Sequence, residues 1–176
     1  MKVFVIGCLL AAVLAAGQAA AEPAMAGDPL EVFKPFCGKT WQGGFTGEDG
    51  RTMTDVSRWE LVLGGKAVRT VHSLNDGVYG GESLTYWDPA RQTLAFVYVT
   101  TAGFRTEGTM AADAAGFTAH ETVIGDPDGV TEVRSTWRLD TDGSFSLASE
   151  YRKGGQWVPG HSIRYVEAPE AEVRFR

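Results

Sequence analysis

The sequence predicts an all-β protein, an up-and-down antiparallel β-barrel of about ten strands with one short N-terminal helix that caps an end. Three observations predict this fold class. The 176 residues include 22 Gly, nine Phe, five Trp and five Tyr, which indicates tight turns and a bulky interior. Asp-Gly pairs, the strongest short-range hairpin signal, recur along the chain. Only the N-terminal region shows helical features, and closing a long meander into a barrel removes its two exposed edges.

The first 21 residues have the pattern of a signal peptide. Met1-Lys2 is a minimal positive start, residues 3–16 are apolar, and residues 19–21 are alanines. This pattern predicts cleavage after Ala21 and a periplasmic or secreted protein. Residues 22–29 are expected to form a flexible leader. The alternative interpretation of the same residues is an uncleaved membrane anchor.

A short helix is expected directly after the leader. Asp28 can cap its N-terminus, Pro29 suits the first helical position, and Pro35 ends the helix. Cys37 follows and is the single cysteine outside the signal peptide, so no internal disulfide is expected after export. The apolar neighbours of Cys37 predict a buried, inert thiol.

Turn signals divide the rest of the chain into strand-length segments. The barrel domain is predicted over residues 30–167, and residues 168–176 are expected to form a loose C-terminal tail. The turn signals are Asp-Gly at 49–50, 76–77, 128–129 and 142–143, Gly-Gly at 64–65 and 154–155, and Asp-Pro at 88–89. The predicted strands are 40–46, 51–63, 66–74, 78–87, 92–100, 104–111, 117–124, 130–139, 144–152 and 157–166.

Alternation along the predicted strands separates an inner face from a charged outer face. Ser135 and Trp137, for example, alternate with Arg134 and Arg138. The inner face combines aromatic rings with scattered hydroxyls, one acid and one histidine, whereas a core built for stability alone would be aliphatic. This composition predicts a cavity for a small, largely apolar ligand. The candidate ligand-binding residues are Trp59, Tyr86, Phe96, Tyr98, Glu121, Trp137, Tyr151, His161 and Tyr165.

Glu121 and His161 are the candidates for binding a polar group of the ligand. Both are expected to face the lumen, with His161 as the nearby counter-charge of Glu121. His120 alternates with Glu121 and is expected to face solvent. A further hypothesis adds His72 to Glu121 and His161 as a metal site of two histidines and one carboxylate.

Charge and motifs narrow the function classes. A formal net charge of −6 argues against nucleic acid as a partner, and no second apolar run is long enough to span a membrane. The sequence holds no nucleophile elbow, phosphate-binding glycine loop or His-Glu-x-x-His. We therefore expect no catalytic residues and no cofactor. Two alternatives stay open, an enzyme that uses Glu121 and His161 as acid and base on a lipid- or isoprenoid-like substrate, and a filled barrel that binds a partner protein.

Four motifs in order resemble the lipocalins and the wider calycin group. They are Gly38-Lys39-Thr40-Trp41-Gln42-Gly43, Leu63-Gly64-Gly65-Lys66, Tyr86-Trp87-Asp88-Pro89 and Phe104-Arg105-Thr106-Glu107-Gly108-Thr109. The order is similar to a family of uncharacterised bacterial, lipocalin-like secreted proteins with a domain of unknown function. The resemblance implies a barrel over about residues 30–166 in which Trp41 packs across the closed end. Two residues separate Gly38 from Trp41, whereas lipocalins have one.

A weaker resemblance is to nitrobindin-like barrels. Trp41-Gln42-Gly43 and the late His161 are similar, in their order, to elements of that group. This resemblance implies heme as an alternative cofactor, with His161 as the ligand of its iron.

Overall fold

A computed structural model describes residues 27–47 and 50–176. Its ten strands form one closed antiparallel barrel in which every strand pairs with its neighbours in sequence, and β1 closes the barrel against β10. The predicted fold class is confirmed. The strands are β1 Lys39–Thr46, β2 Thr52–Val62, β3 Ala67–Leu74, β4 Tyr79–Asp88, β5 Thr93–Thr100, β6 Arg105–Asp113, β7 Gly116–Ile124, β8 Val130–Leu139, β9 Phe145–Lys153 and β10 Gln156–Glu167.

The predicted signal peptide, most of the leader and the residue pair 48–49 lie outside the described residues. Among the residues that are described, no helix is long and apolar enough to cross a membrane. Short turns join the strands, and in two of them, Leu63–Gly65 and Asn75–Gly77, all three residues have positive φ.

The N-terminal helix is a single 3₁₀ turn, Glu31–Phe33, and is shorter than predicted. The N-cap is Leu30, so Asp28 and Pro29 both precede the helix and the predicted cap is wrong. The carboxylate of Asp28 accepts a hydrogen bond from the Leu30 backbone N–H at 3.0 Å. Residues 34–38 continue as turns, because proline at position 35 cannot extend a helix. The segment places Phe33 and Phe36 inside the barrel mouth, where both are buried.

Aromatic side chains fill one end of the barrel, which we call the closed end. Trp41, near the start of β1, is 0% exposed, and its indole N–H donates to the carbonyl of Phe36 at 3.0 Å. The ring of Phe145 meets the Trp41 ring edge-on, with centroids 4.9 Å apart. Phe33 packs on Phe117 with a centroid distance of 5.0 Å. The N-terminal segment therefore covers this end and completes an aromatic core.

The opposite end, where β2, β4, β6, β8 and β10 begin, is called the open end. Its connections include the turn between β3 and β4 and the loop between β7 and β8. Cys37 lies at the other end, packed against the closed-end core, and burial raises the pKa of its thiol to about 11. A thiol with such a pKa is a poor nucleophile at neutral pH, in agreement with the predicted inert role.

The C-terminal tail is not loose, in contrast to the prediction. The backbone N–H of Ala168 donates to the Thr40 carbonyl at 2.8 Å, and the N–H of Arg174 donates to the Ser73 hydroxyl at 3.1 Å. These bonds hold residues 168–174 against the outside of β1 and β3. The difference arises because the bonds are made with strands more than 100 residues earlier in the chain, which local composition does not reveal.

Candidate functional site

A cavity of about 360 Å³ lies inside the barrel and extends toward the open end. Its inner limit is formed by Trp59, Phe117 and Trp137, which belong to the aromatic packing of the closed end. Phe104 and Asp126, in the loops of the open end, line its outer part. The cavity therefore occupies the part of the lumen that the closed-end core leaves unfilled.

Asp55 is the most buried acidic group of the cavity, at 2% exposure. Its carboxylate accepts two hydrogen bonds, from Nδ1 of His72 at 2.7 Å and from the hydroxyl of Tyr165 at 2.8 Å. Burial, and the charge of Asp55 beside it, raise the pKa of Tyr165. Since a carboxylate only accepts, Asp55 fixes the histidine tautomer with the proton on Nδ1.

Two tyrosines continue this hydrogen-bond chain into the cavity. Nε2 of His72 lies 2.7 Å from the hydroxyl of Tyr98, which lies 3.0 Å from the hydroxyl of Tyr79. With His72 neutral, Tyr98 donates to Nε2 and accepts from Tyr79. Burial raises the pKa of Tyr79 to about 12 and that of Tyr98 still further, so both hydroxyls keep their protons at neutral pH.

Gly81 makes the bond between Tyr98 and His72 possible. A Cβ atom at this position would lie 2.4 Å from Cε2 of Tyr98 and 2.5 Å from the carbonyl oxygen of Val99. Gly81 also pairs directly with His72 across the β3–β4 ladder. The missing side chain lets the Tyr98 ring cross β4 and reach the histidine, which is a common reason for glycine inside a strand.

Glu121 faces the cavity from β7. One of its oxygens, Oε2, accepts a hydrogen bond from the hydroxyl of Thr106 on β6. Among the described residues, the other oxygen, Oε1, has no hydrogen-bond partner. Burial raises the pKa of this carboxyl, and the Thr106 bond and the charge of His120 oppose that shift only in part. The side chain keeps some accessible surface because it borders the cavity, although the surrounding barrel shields it from bulk water.

His161 enters the cavity through a bulge in β10. The pairing of β10 with β9 shifts between Pro159 and Ser162, and the Ser149 hydroxyl bridges the gap. It accepts from the His161 N–H and donates to the His161 carbonyl, each at 3.1 Å. The imidazole Nδ1 bonds the Tyr151 hydroxyl, and the ring stacks on Phe45 with centroids 4.8 Å apart. Burial lowers the pKa of His161, which favours the neutral ring.

Eight of the nine candidate residues line the cavity, and Tyr86 does not. The eight are Trp59, Phe96, Tyr98, Glu121, Trp137, Tyr151, His161 and Tyr165. Tyr86 is 40% exposed on the outer face, and its neighbours across the ladders are Ala67 and Ala95. On β4 the inward positions include Ser83 and Thr85, so the prediction placed this strand with the wrong face inside.

The predicted pair between Glu121 and His161 is also wrong. Glu121 bonds Thr106, whereas His161 bonds Tyr151. The two residues lie on β7 and β10, which are separated by two strands around the barrel. Both side chains face the lumen, as predicted, but they approach it from different sides.

The hypothesis of a metal site fails for the same reason. His72 uses both ring nitrogens within the Asp55–Tyr98 chain, and Glu121 is bonded to Thr106. Within residues 27–47 and 50–176, no group of three or more His, Cys, Asp or Glu side chains is arranged to hold a metal ion. His120 lies outside the barrel, as expected, and its Nε2 is 2.9 Å from Glu132.

Three further residues of the cavity lining, Asp55, Tyr79 and Thr106, were not predicted from the sequence. A usable signal existed for Asp55, because it alternates with Ser57 and Trp59 and therefore shares the inward face of β2. The pair Gly80-Gly81 inside a strand was a second signal, because it indicates that another group approaches closely.

Comparisons with known proteins support the fold. No protein-family model matches the sequence, and no curated protein matches it. Among solved structures, the crystal structure of Rv2717c from M. tuberculosis is similar, with a TM-score of 0.60 and 14% sequence identity. The similarity covers 81% of this chain and 98% of that one. At this identity the match shows a shared barrel architecture.

Proposed function

We propose that the protein binds a small, largely apolar molecule carrying a polar group in the cavity at the open end of the barrel. The observation that carries this proposal is the cavity itself, about 360 Å³ of space inside a barrel that is tightly filled at its other end. Ligand sites in proteins commonly have volumes of about 300–1,000 Å³ and are mostly apolar with a few convergent polar groups. This lining has that composition.

The volume limits the size of the ligand. It equals the space that about a dozen liquid water molecules take up, so a compound of two fused rings fits, whereas a long lipid does not fit entirely. The polar groups available to it are the Tyr79 hydroxyl, Oε1 of Glu121 and Nε2 of His161. The described residues make no hydrogen bond to the last two atoms.

A heme is less well supported than a small apolar compound. Nε2 of His161 would suit an iron ion, because Tyr151 bonds the other ring nitrogen. Heme also carries two carboxylates, and no lysine or arginine of the described residues lines the cavity. The cavity therefore offers a nitrogen ligand to the heme iron but no cationic side chain to the heme carboxylates.

The proposed function includes export and a lipocalin-like relationship. The apolar segment and the alanines at 19–21 support a signal peptide, and N-terminal sequencing of protein from its host should then begin within about two residues of Glu22. An intact Met1 on exported protein would contradict export. Burial of Trp41 across the closed end supports the relationship to lipocalins.

Calorimetric titration with 1-naphthylmethanol, a neutral two-ring compound, tests the binding function. We expect a dissociation constant of about 1 mM or tighter, which corresponds to roughly 4 kcal/mol. Val123→Trp, on the inward face of β7, should fill the cavity and abolish binding. Thr122→Trp, at the next position and on the outer face, is the matched control and should bind like the unmodified protein.

Two results would contradict the proposal. One is the absence of binding to the unmodified protein. The other is equal affinity in the Val123→Trp and Thr122→Trp variants, because a ligand on the outside of the barrel would not sense the inward substitution. Circular dichroism of both variants checks that each keeps the β-barrel.

A further inference from the structure

We infer that the ligand is a lipophilic amine, bound as its ammonium form with Glu121 as the counter-ion. This inference rests on the proposed binding function and specifies the chemical class of the ligand. It follows from three features of the cavity, which are the sign of its charges, the hydrogen-bond state of Glu121, and the aromatic rings and hydroxyls near this acid.

The charged groups of the cavity lining are acidic. Asp55, Glu121 and Asp126 line it, and no lysine or arginine within the described part of the chain does so. Two histidines are the remaining bases. His72 is bound to the carboxylate of Asp55, so the pair carries no excess positive charge, and burial keeps His161 neutral. A carboxylate ligand would therefore enter without a counter-charge, whereas a cation would meet a complementary potential.

Glu121 has the hydrogen-bonding capacity that an ammonium group requires. The Thr106 hydroxyl bonds Oε2, and Oε1 is left without a partner among the described residues. A carboxyl in such a shielded position is costly to ionise alone. A cation at Oε1 would remove that cost, and charge-assisted hydrogen bonds are stronger than neutral ones. An uncharged hydroxyl at the same place would gain much less.

Aromatic rings and hydroxyls near Glu121 suit the rest of an ammonium group. Tyr79 and Tyr98 line the same cavity as Glu121. Tyr98 also pairs across the β5–β6 ladder with Thr106, whose hydroxyl bonds Glu121. The hydroxyls of Tyr79 and Tyr98 lie 3.0 Å apart. Hydroxyl oxygens can accept the further ammonium protons, and ring faces attract a cation within about 6 Å.

Three compounds with the same naphthalene body test the inference at neutral pH. They are 1-naphthylmethylamine, 1-naphthylmethanol and 1-naphthoic acid, which differ in the charge of the attached group. We expect the unmodified protein to bind the amine about tenfold more tightly than the alcohol, because a hydrogen bond to a charged group exceeds a neutral one by that order. The acid should bind more weakly than the alcohol.

Glu121→Gln separates the role of the charge from that of the shape. This variant should lose the preference for the amine, because the amide keeps the side-chain volume and removes the charge. Glu107→Gln is the matched control. Glu107 lies on the neighbouring strand β6 with an exposed side chain paired to Arg105, so this variant should keep the full amine preference.

The results of these titrations separate the inference about the amine from the proposed binding function. Binding of the alcohol without a preference for the amine would overturn the inference and leave the binding function standing. Failure of all three compounds to bind the unmodified protein would overturn both. The inference also fails if 1-naphthoic acid binds as tightly as the amine, or if Glu121→Gln retains the amine preference. Circular dichroism checks that Glu121→Gln keeps the β-barrel.

Discussion

The two ends of the barrel use the same strands for different purposes. At the closed end, Phe33, Trp41 and Phe145 pack at ring distances typical of a protein core and leave no large space. At the open end, inward positions of the same sheet carry polar groups such as Asp55 and Glu121, and a cavity remains. A barrel can therefore obtain its stability from one end while the other end tolerates polar groups that a core would exclude.

The polar groups of the open end are themselves of two kinds, those whose hydrogen bonds are made within the protein and those with an unbonded atom. The Asp55–His72–Tyr98 chain is saturated with internal hydrogen bonds and stabilises the open end. Glu121 and His161 each have one engaged atom and one that the described residues leave unbonded. Groups of the second kind cost stability in the empty protein, and they are the ones that a ligand can satisfy.

The largest expected effect is at the closed end. Trp41→Ala should lower the free energy of unfolding by about 3–5 kcal/mol, because it leaves a cavity in the aromatic core and removes the bond to Phe36. Urea denaturation measures this change. Trp157→Ala is the control, since Trp157 packs over the Arg134 guanidinium at 3.9 Å on the outer face and should cost about 1 kcal/mol or less. Equal costs for the two substitutions would contradict the division between the ends.

A smaller effect is expected for the saturated chain at the open end. Asp55→Asn should cost about 1–3 kcal/mol, because an amide cannot accept from both His72 and Tyr165 through two oxygens. Asp76→Asn, in the exposed turn between β3 and β4, should change stability by less than about 0.5 kcal/mol. If Asp55→Asn is as mild as this control, the chain does not stabilise the fold.

Replacing Glu121 is expected to raise the stability of the fold, whereas the two substitutions above lower it. Its pKa is raised in the folded state, so the folded protein holds a proton that the unfolded chain has released, and stability falls as the pH rises through the raised pKa. Glu121→Gln has no carboxyl group at this position, so its stability does not fall in this way as the pH rises. Its melting temperature should exceed that of the unmodified protein near neutral pH, and the gap should close toward about pH 4. Glu107→Gln should show no such pH-dependent gain, and a gain of the same size there would contradict the assignment.

The smallest effect concerns the outer face. Tyr86→Phe should alter neither stability beyond about 0.5 kcal/mol nor the affinity for 1-naphthylmethanol, because Tyr86 lies outside the barrel. Tyr98→Phe on the neighbouring strand should lower stability, because it leaves His72 and Tyr79 without their hydrogen-bond partner. A loss of ligand affinity in Tyr86→Phe would show that the outer face takes part in binding.

The strands and most inward faces were predictable, because turn residues and alternation are local properties. Ser135 and Trp137 alternate with two arginines, which leaves one choice of face. Tyr86 was misplaced because β4 carries this aromatic side chain on its outer face. The inward positions of that strand are small or hydroxylated, Gly81, Ser83 and Thr85, and they leave room for the ring of Tyr98.

Contacts across the lumen were not predictable in the same way. Alternation placed Glu121 and His161 inside, but which groups meet there depends on ring orientation and on the bulge that turns His161 toward Tyr151. The Asp55–His72 bond is diagonal within the β2–β3 hairpin, where Asp55 pairs with Leu74 and His72 pairs with Ser57. The 2.7 Å distance therefore depends on how the two side chains turn toward each other. Such distances are absent from any local pattern.

Amide chemical-shift mapping with ¹⁵N-labelled protein and 1-naphthylmethanol tests the central claim most directly. If the cavity at the open end is the binding site, the shifts that change with ligand concentration will belong to residues around Tyr98, Glu121 and Tyr151. Those around Trp41 and Phe145 at the closed end will stay constant. Saturable shifts confined to the closed end or to the outer face, or no saturable shifts at all, would contradict the account.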